Sequence, residues 1–175
     1  MKYIKTFKSQ KGVSFIDWLL KEYPDRNKWK NITTIDCSNE NLVNLDGIEN
    51  LDNLEKLWCE YNKLTELDVN NLVNLKYLWC SDNQLTELNL EKLVNLKSLC
   101  CDNNQLTELN LKNLVNLEYL NCNNNKLTEL NLENLINLKM LECYDNKLPY
   151  DDLYEYEEWF EKTYPWKVAA KRYNL

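Results

Sequence analysis

One short pattern recurs along this chain and constrains its fold more than any other feature. The pattern is Leu-x-x-Leu-x-Cys-x-x-Asn-x-Leu, and its copies begin 21 residues apart, at Leu54, Leu75, Leu96, Leu117 and Leu138. A looser copy precedes them at Ile32 and has Glu40 where the others have asparagine. Self-similarity at a period of about 20–29 residues is typical of solenoids, in which each repeat forms one turn of a coil.

The spacing of apolar residues predicts a short strand in each copy. In the copy at Leu75, Leu78 and Cys80 are two residues apart, so a strand turns both inward and turns Tyr77 and Trp79 outward. Stacked coils place equivalent strands side by side, about 4.8 Å apart, in one parallel sheet. The inward thiols are expected to pack as small apolar groups; they are Cys37, Cys59, Cys80, Cys101, Cys122 and Cys143.

The rest of each repeat contains a turn and a second apolar segment. The asparagine falls where the chain leaves the strand, and its amide is predicted to satisfy backbone groups of that turn. Apolar residues then recur at spacing three and two, as in Leu64, Leu67 and Val69, which favours a second short extended segment over a long helix. The first copy lacks the asparagine and is one residue longer, so its turn geometry does not follow from the pattern.

These copies resemble the nested, cysteine-bearing 21-residue leucine-rich repeats called IRREKO, whose pattern is LxxLxCxxNxLxxLxLxxxxx. The resemblance extends from Ile32 to about Leu148, and the four complete copies from Leu54 to Asn137 fit every framed position. It implies an α/β repeat solenoid, a right-handed coil with one parallel sheet of about six strands. It identifies no partner, because leucine-rich repeats serve many unrelated ones.

Segments on both sides of the repeats are predicted to be helical caps, which keep the ends of a repeat array soluble. Residues 14–20 begin with a Ser-x-x-Asp capping signal and continue as a short apolar-faced helix. Residues 151–160 indicate a second helix with acidic residues near its N-terminus. The apolar stripe of this second helix is predicted to comprise Leu153, Tyr156 and Phe160.

We therefore divide one structural domain into three parts, which differ in charge. The N-terminal cap, 1–31, has a net charge of +5, the leucine-rich repeats, 32–148, have −10, and the C-terminal helical cap, 149–175, has −2. The acidic repeats repel phosphates, so we expect no nucleic acid as a ligand. No apolar stretch approaches the roughly 20 residues of a membrane span, and we expect no membrane association.

The N-terminus indicates a cytoplasmic protein, or one delivered to a host cytosol, because no secretory signal is visible. Seven cysteines without such a signal are typical of reduced thiols. A basic segment at the start either touches an anionic surface or lies extended along the first coil, the reading we favour; its lysines are Lys2, Lys5, Lys8 and Lys11.

A candidate binding surface follows from comparing the repeats with one another. The outward residues of the predicted sheet differ from copy to copy, whereas those of the second segment hardly change. Trp58 and Trp79 are expected on adjacent strands and pointing to solvent, and exposed tryptophan and tyrosine are frequent interface anchors. The predicted protein-binding residues are Trp58, Trp79, Tyr77, Tyr61, Tyr119, Tyr144, Glu60, Asp82, Asp102 and Glu142. The alternative is that the rings only stabilise the sheet or lie under the N-terminal segment.

Other polar groups give weaker indications of a cation-binding, metal or catalytic site. A uniform column of Glu66, Glu87, Glu108 and Glu129 is either a solvated wall or a cation-binding ladder, and we favour the wall. Cys100 and Cys101 are expected to face opposite sides of the sheet, with Cys100 an unreactive surface thiol. We predict no metal, cofactor or catalytic residue, since the chain has no histidine, two glycines and no nucleophile paired with a base.

The sequence thus predicts a non-enzymatic protein-binding module that is monomeric on its own. Its partner is expected to be another protein, with a basic surface as one candidate. Two alternatives remain open: a structural subunit docked in a larger assembly, or an inhibitor that neutralises a basic enzyme or toxin.

Overall fold

A computed structural model describes residues 13–168, and within them six short strands form one parallel sheet. The strands pair in chain order, and each belongs to one copy of the repeat, as the sequence predicts. Their bounds are β1 Thr34–Asp36, β2 Lys56–Trp58, β3 Tyr77–Trp79, β4 Ser98–Cys100, β5 Tyr119–Asn121 and β6 Met140–Glu142. The registers are unbroken, so Leu57 lies beside Leu78 and Trp58 beside Trp79.

The inward side chains of the repeats form the core of the coil. The middle residue of every strand, from Ile35 to Leu141, is buried, as is the cysteine that follows it by two residues. The thiols of Cys37, Cys59, Cys80 and Cys143 also reach a backbone carbonyl; the Cys59 Sγ, for example, lies 3.4 Å from the Trp79 oxygen. The predicted inward orientation of the six thiols is confirmed.

The asparagine of each repeat joins two successive coils. In the coil of β3, Asn83 Nδ2 lies 3.0 Å from the carbonyl oxygens of both Cys80 and Cys59, the latter in the preceding coil. Its Oδ1 accepts from the backbone nitrogen of Leu64, also in the preceding coil, at 3.0 Å. The same contacts are made by Asn62, Asn104, Asn125 and Asn146. The predicted role of the asparagine is confirmed.

The side of the coil opposite the sheet, here called the second wall, contains no long helix among the described residues. Each coil returns to the sheet through two consecutive turns, as where Leu72 N donates to Val69 O and Leu75 N to Leu72 O. Successive coils are also linked here by backbone hydrogen bonds, such as that from Gln84 N to Leu64 O at 2.9 Å.

The first coil differs from the others in its turns. It has two residues with positive φ, Asn39 at 61° and Asn41 at 58°, and its second wall includes a 3-10 helix, Ile48–Asn50. Gly47 precedes that helix with φ of 100°, and a Cβ there would lie 2.8 Å from Ile16 Cδ1. Glycine therefore allows the N-terminal cap to approach the first coil closely.

The N-terminal cap consists of helix α1, Phe15–Glu22, and a 3-10 helix, Arg26–Asn31. Phe15, Trp18 and Trp29 are buried over the open end of the first coil. Ser14 is the N-cap residue of α1, but its side chain makes no capping hydrogen bond. Only its backbone carbonyl takes part, accepting from Trp18 N at 3.1 Å, so the capping role predicted for this side chain is wrong.

The C-terminal cap contains helix α2, Leu153–Thr163, whose N-cap Asp152 accepts from Glu155 N at 2.9 Å. No residue of α2 is buried, and its predicted apolar stripe is only half-buried. The last coil is covered instead by Tyr150, which is 3% exposed and donates its hydroxyl to Leu130 O. Residues 13–168 include no helix long and apolar enough to cross a membrane.

Candidate functional site

The outer face of the sheet brings together most of the predicted binding residues. Each three-residue strand turns its first and last side chains away from the core and its middle one inward. Because β2 and β3 pair in register, Trp58 lies beside Trp79, and Lys56 lies beside Tyr77. We call one group of residues here the aromatic–acidic patch: Trp58, Tyr61, Tyr77, Trp79, Glu60, Asp82 and Asp102.

The two tryptophans are in contact but are not equally exposed. Their ring centroids are 5.8 Å apart and the rings are tilted by 43°. Trp79 is 37% exposed, and its Nε1 lies 3.4 Å from Ser98 Oγ. Trp58 is half-buried, and its Nε1 is buried with no hydrogen-bond partner among the described residues. Both rings lie on the outer face of the sheet, but Trp58 is only partly open to solvent, and Trp79 packs beside it.

Tyr61 lies just after β2 and is the most exposed ring of the patch. It is 56% exposed and its φ is 54°, in the left-handed region. Large side chains seldom adopt this conformation. Tyr77, on β3, is half-buried and has the Lys56 ammonium 5.4 Å from its ring centroid.

Acidic side chains surround the rings on one side. Burial raises the pKa of Glu60, and the nearby carboxylates of Asp102, Asp36 and Asp82 raise it further. The Asp82 carboxylate also raises the pKa of Tyr61. These shifts mean that the carboxylates repel one another on this face. The aromatic–acidic patch is therefore a concentration of negative charge beside apolar rings.

The remaining predicted residues lie further along the sheet. Tyr119 is on β5, two strands from Trp79, and its hydroxyl lies 3.2 Å from a Glu142 oxygen on β6. Burial, followed by nearby Cys100 and Glu142, raises the pKa of Tyr119 to about 12. Tyr144 is 47% exposed just after β6. These three residues form a second group rather than part of the aromatic–acidic patch.

Three residues outside the predicted binding set complete the patch. Asp36 on β1 pairs with Trp58 and adds a carboxylate beside Glu60. Ser81 is buried rather than outward, and its hydroxyl donates to the Asp102 carboxylate. Ser98 contacts the Trp79 indole nitrogen. All three had a detectable signal, since Asp36 occupies the repeat position of Trp58, Ser98 that of Tyr77 and Ser81 that of Glu60.

The thiols are in unreactive surroundings. Cys101 is fully buried, whereas Cys100 is partly exposed on the opposite face of β4, as expected. Burial, followed by Asp102, Glu60 and Glu142, raises the pKa of Cys100 to about 12. A thiol with such a pKa is protonated at neutral pH and is a poor nucleophile.

The glutamate column lies within the described residues, whereas the lysines of the basic N-terminal segment do not. All four glutamates of the column are exposed on the second wall. Within residues 13–168 no group of three or more acidic, cysteine or histidine side chains is arranged to hold a metal ion. Lys2, Lys5, Lys8 and Lys11 lie outside the described residues.

Comparisons with known proteins agree on the fold. A family model described as leucine-rich repeats, two copies, matches residues 73–113. Internalin J of Listeria monocytogenes serotype 4b, strain F2365, is 44% identical over 39 residues, which are 22% of this chain and 4% of that protein. The chain therefore spans a small part of this curated relative.

Two crystal structures of Listeria monocytogenes proteins are similar in fold. Internalin InlF has a TM-score of 0.68 and 29% identity, over 76% of this chain and 42% of that one. Internalin C2 has a TM-score of 0.51 and 28% identity, over 70% of this chain and 66% of that one. No catalytic family is indicated by these matches.

Proposed function

This chain is a leucine-rich-repeat protein, and we propose that it binds another protein through the aromatic–acidic patch of its sheet. The observation that carries the proposal is the pairing of Trp58 with Trp79, 5.8 Å apart, beside several carboxylates. Tryptophan and tyrosine provide large contact areas at small cost in conformational entropy, and they dominate many interfaces.

The charge of the patch favours a partner with lysine or arginine on its contact surface. Glu60, Asp82, Asp102 and Asp36 repel one another, as the raised pKa of Glu60 indicates. A cation placed among them relieves that repulsion and gains from the neighbouring rings through cation–π contacts. Lys56 over the Tyr77 ring is an example of this contact within the chain itself.

The proposal includes a non-enzymatic role in a reducing compartment. Histidine, a common general base, is absent from the chain, and the most exposed thiol, Cys100, is protonated at neutral pH. All seven cysteines are free, which supports a cytosol-like environment. In this reading the chain is a monomer that acts by binding.

The test compares two pairs of exposed aromatic residues. Affinity capture from the source cell is carried out with the wild type, with Tyr61→Ala plus Trp79→Ala, and with Tyr154→Ala plus Trp166→Ala. The control pair lies on the C-terminal cap and is 68% and 66% exposed. Trp58 is left unchanged because its half-buried ring supports the sheet.

We expect the patch variant to lose a protein that the wild type and the control variant both retain. Aromatic hot-spot residues contribute about 2 kcal/mol or more, so recovery of that protein should fall more than tenfold. Identical recovery by all three proteins would contradict the proposal. Recovery of several proteins in fixed stoichiometry would instead support the structural-subunit alternative, and recovery of one basic enzyme or toxin would support an inhibitor.

A further inference from the structure

We infer that the second wall carries another docking site, a groove that takes a lysine- or arginine-bearing polypeptide segment. The groove has a volume of about 1420 Å³ and runs from Asn44 in the first coil to the aromatic rings of the C-terminal cap. It lies on the wall opposite the sheet, so it does not depend on the aromatic–acidic patch.

Leucines form the floor of the groove and glutamates line one side, and each recurs once per coil. Most leucines of the core are fully buried, but four that lie along the floor are 6–7% exposed. These four are Leu67, Leu88, Leu109 and Leu130. One exposed glutamate precedes each of them; these are Glu66, Glu87, Glu108 and Glu129. Coil spacing of about 4.8 Å turns this column into a continuous acidic edge about 15 Å long.

The charge of the lining is strongly unbalanced. Among the described residues that line the groove, nine are acidic and two are lysines, Lys112 and Lys167. At the N-terminal end, the amide oxygens of Asn44 and Asn70 are buried and have no hydrogen-bond partner among the described residues. Lysine and arginine carry hydrogen-bond donors and no acceptors, so they complement such a lining.

The C-terminal end of the groove shows how it accepts a cation. Lys167 reaches into this end, where its ammonium pairs with Glu133. The same ammonium lies 4.9 Å from the Tyr164 ring centroid and 5.9 Å from that of Phe160. One lysine of the chain thus already combines a carboxylate contact with ring contacts, while the glutamate column beside it remains exposed.

The aromatic rings at this end are themselves incompletely covered. Tyr156, Trp159 and Phe160 of α2 are half-buried, and they contact one another at centroid distances of 5.7–6.1 Å. An occupant that has basic side chains along its length and an aromatic residue at one end matches the acidic edge and these rings together. About four to five extended residues span the column.

The test uses a fluorescein-labelled peptide, Lys-Ala-Lys-Ala-Lys-Ala-Lys-Trp, and fluorescence anisotropy with the full chain. Three variants with the same loss of charge are compared with the wild type: Glu87→Gln plus Glu108→Gln in the groove, Glu157→Gln plus Glu161→Gln on the exposed side of α2, and Glu60→Gln plus Asp102→Asn in the aromatic–acidic patch. Circular dichroism establishes that each variant is folded.

We expect the groove variant to bind the peptide roughly five- to tenfold more weakly than the wild type, since each exposed ion pair contributes modestly. The α2 variant, which lies outside both proposed binding surfaces, should change the affinity less than about twofold, and the patch variant should weaken binding less than the groove variant does. Equal weakening in all three variants would show attraction by net charge alone and would overturn the inference. Weakening confined to the patch variant would also overturn it, and would leave the proposed function of the sheet intact.

Discussion

At the scale of single residues, Tyr61 occupies a backbone position that aspartate or asparagine holds in the later coils. The equivalent residues are Asp82, Asn103, Asn124 and Asp145, and all five have φ between 51° and 54°. Short polar side chains tolerate this left-handed conformation, whereas a tyrosine there is strained. Strained residues persist where the surrounding structure or a function requires them, and the exposed ring of Tyr61 lies near the Asp82 carboxylate of the patch.

Tyr61→Asn is therefore expected to stabilise the fold and weaken binding. Relief of the left-handed strain should raise the free energy of unfolding by up to about 1 kcal/mol. The reverse exchange at an equivalent position, Asn103→Tyr, should lower it by a similar amount. Urea denaturation measures both changes. If Tyr61→Asn destabilises the protein, the ring contributes to packing and strain does not identify it as functional.

At the scale of elements, the asparagine column determines how each strand continues into its turn. Every one of these amides bridges its own coil and the one before it, so it stabilises the stacking of the coils as well as the turn itself. Asn104 is 8% exposed and lies in the middle of the array, where no water can replace its contacts easily.

Asn104→Ala should lower the free energy of unfolding by about 1–3 kcal/mol, because it leaves buried carbonyl and amide groups unpaired. Asn110→Ala is the control: its side chain is exposed and accepts only from Lys112 N, so its change should stay within about 0.5 kcal/mol. Thermal or urea denaturation distinguishes the two. Equal losses for the two variants would contradict the bridging role of Asn104.

The elements that the sequence predicts well are those that repeat. Six strands, inward thiols and asparagine turns all follow from periodicity, since each copy faces the same neighbours. The features that the sequence did not predict depend on single contacts between non-repeating residues. Tyr150 covers the last coil, Gly47 makes room for Ile16, and the Trp79 ring shields Trp58 from solvent. A repeat pattern does not predict contacts between residues that occur only once.

At the scale of the whole molecule, negative charge lies on two opposite surfaces of one coil. The sheet carries the aromatic–acidic patch and the second wall carries the acidic groove, while the net charge of the chain is −7. Repulsion among the carboxylates of the patch lowers the stability of the free protein, and a basic partner recovers that stability on binding. The dependence of stability on pH therefore reports on the same groups that are proposed to bind.

Glu60→Gln is expected to stabilise the free protein at pH 7, and this advantage should shrink as the pH falls. Burial and the neighbouring carboxylates raise the pKa of Glu60 in the folded state above its ordinary value of 4.5. Above that raised pKa the ionised side chain is penalised only in the folded state. As the pH falls through the raised pKa toward 4.5, the folded protein takes up a proton first, and the penalty disappears.

Urea denaturation of the wild type and Glu60→Gln between pH 7 and pH 4 measures the difference in free energy of unfolding. Glu108→Gln, which removes one exposed carboxylate from the second wall, is the control. An effect of overall net charge would change both variants alike, whereas repulsion local to the patch changes the Glu60 variant more. If the advantage of Glu60→Gln instead grows on acidification, the ionised carboxylate of Glu60 stabilises the fold. The patch would then lack the repulsion that a basic partner is proposed to relieve.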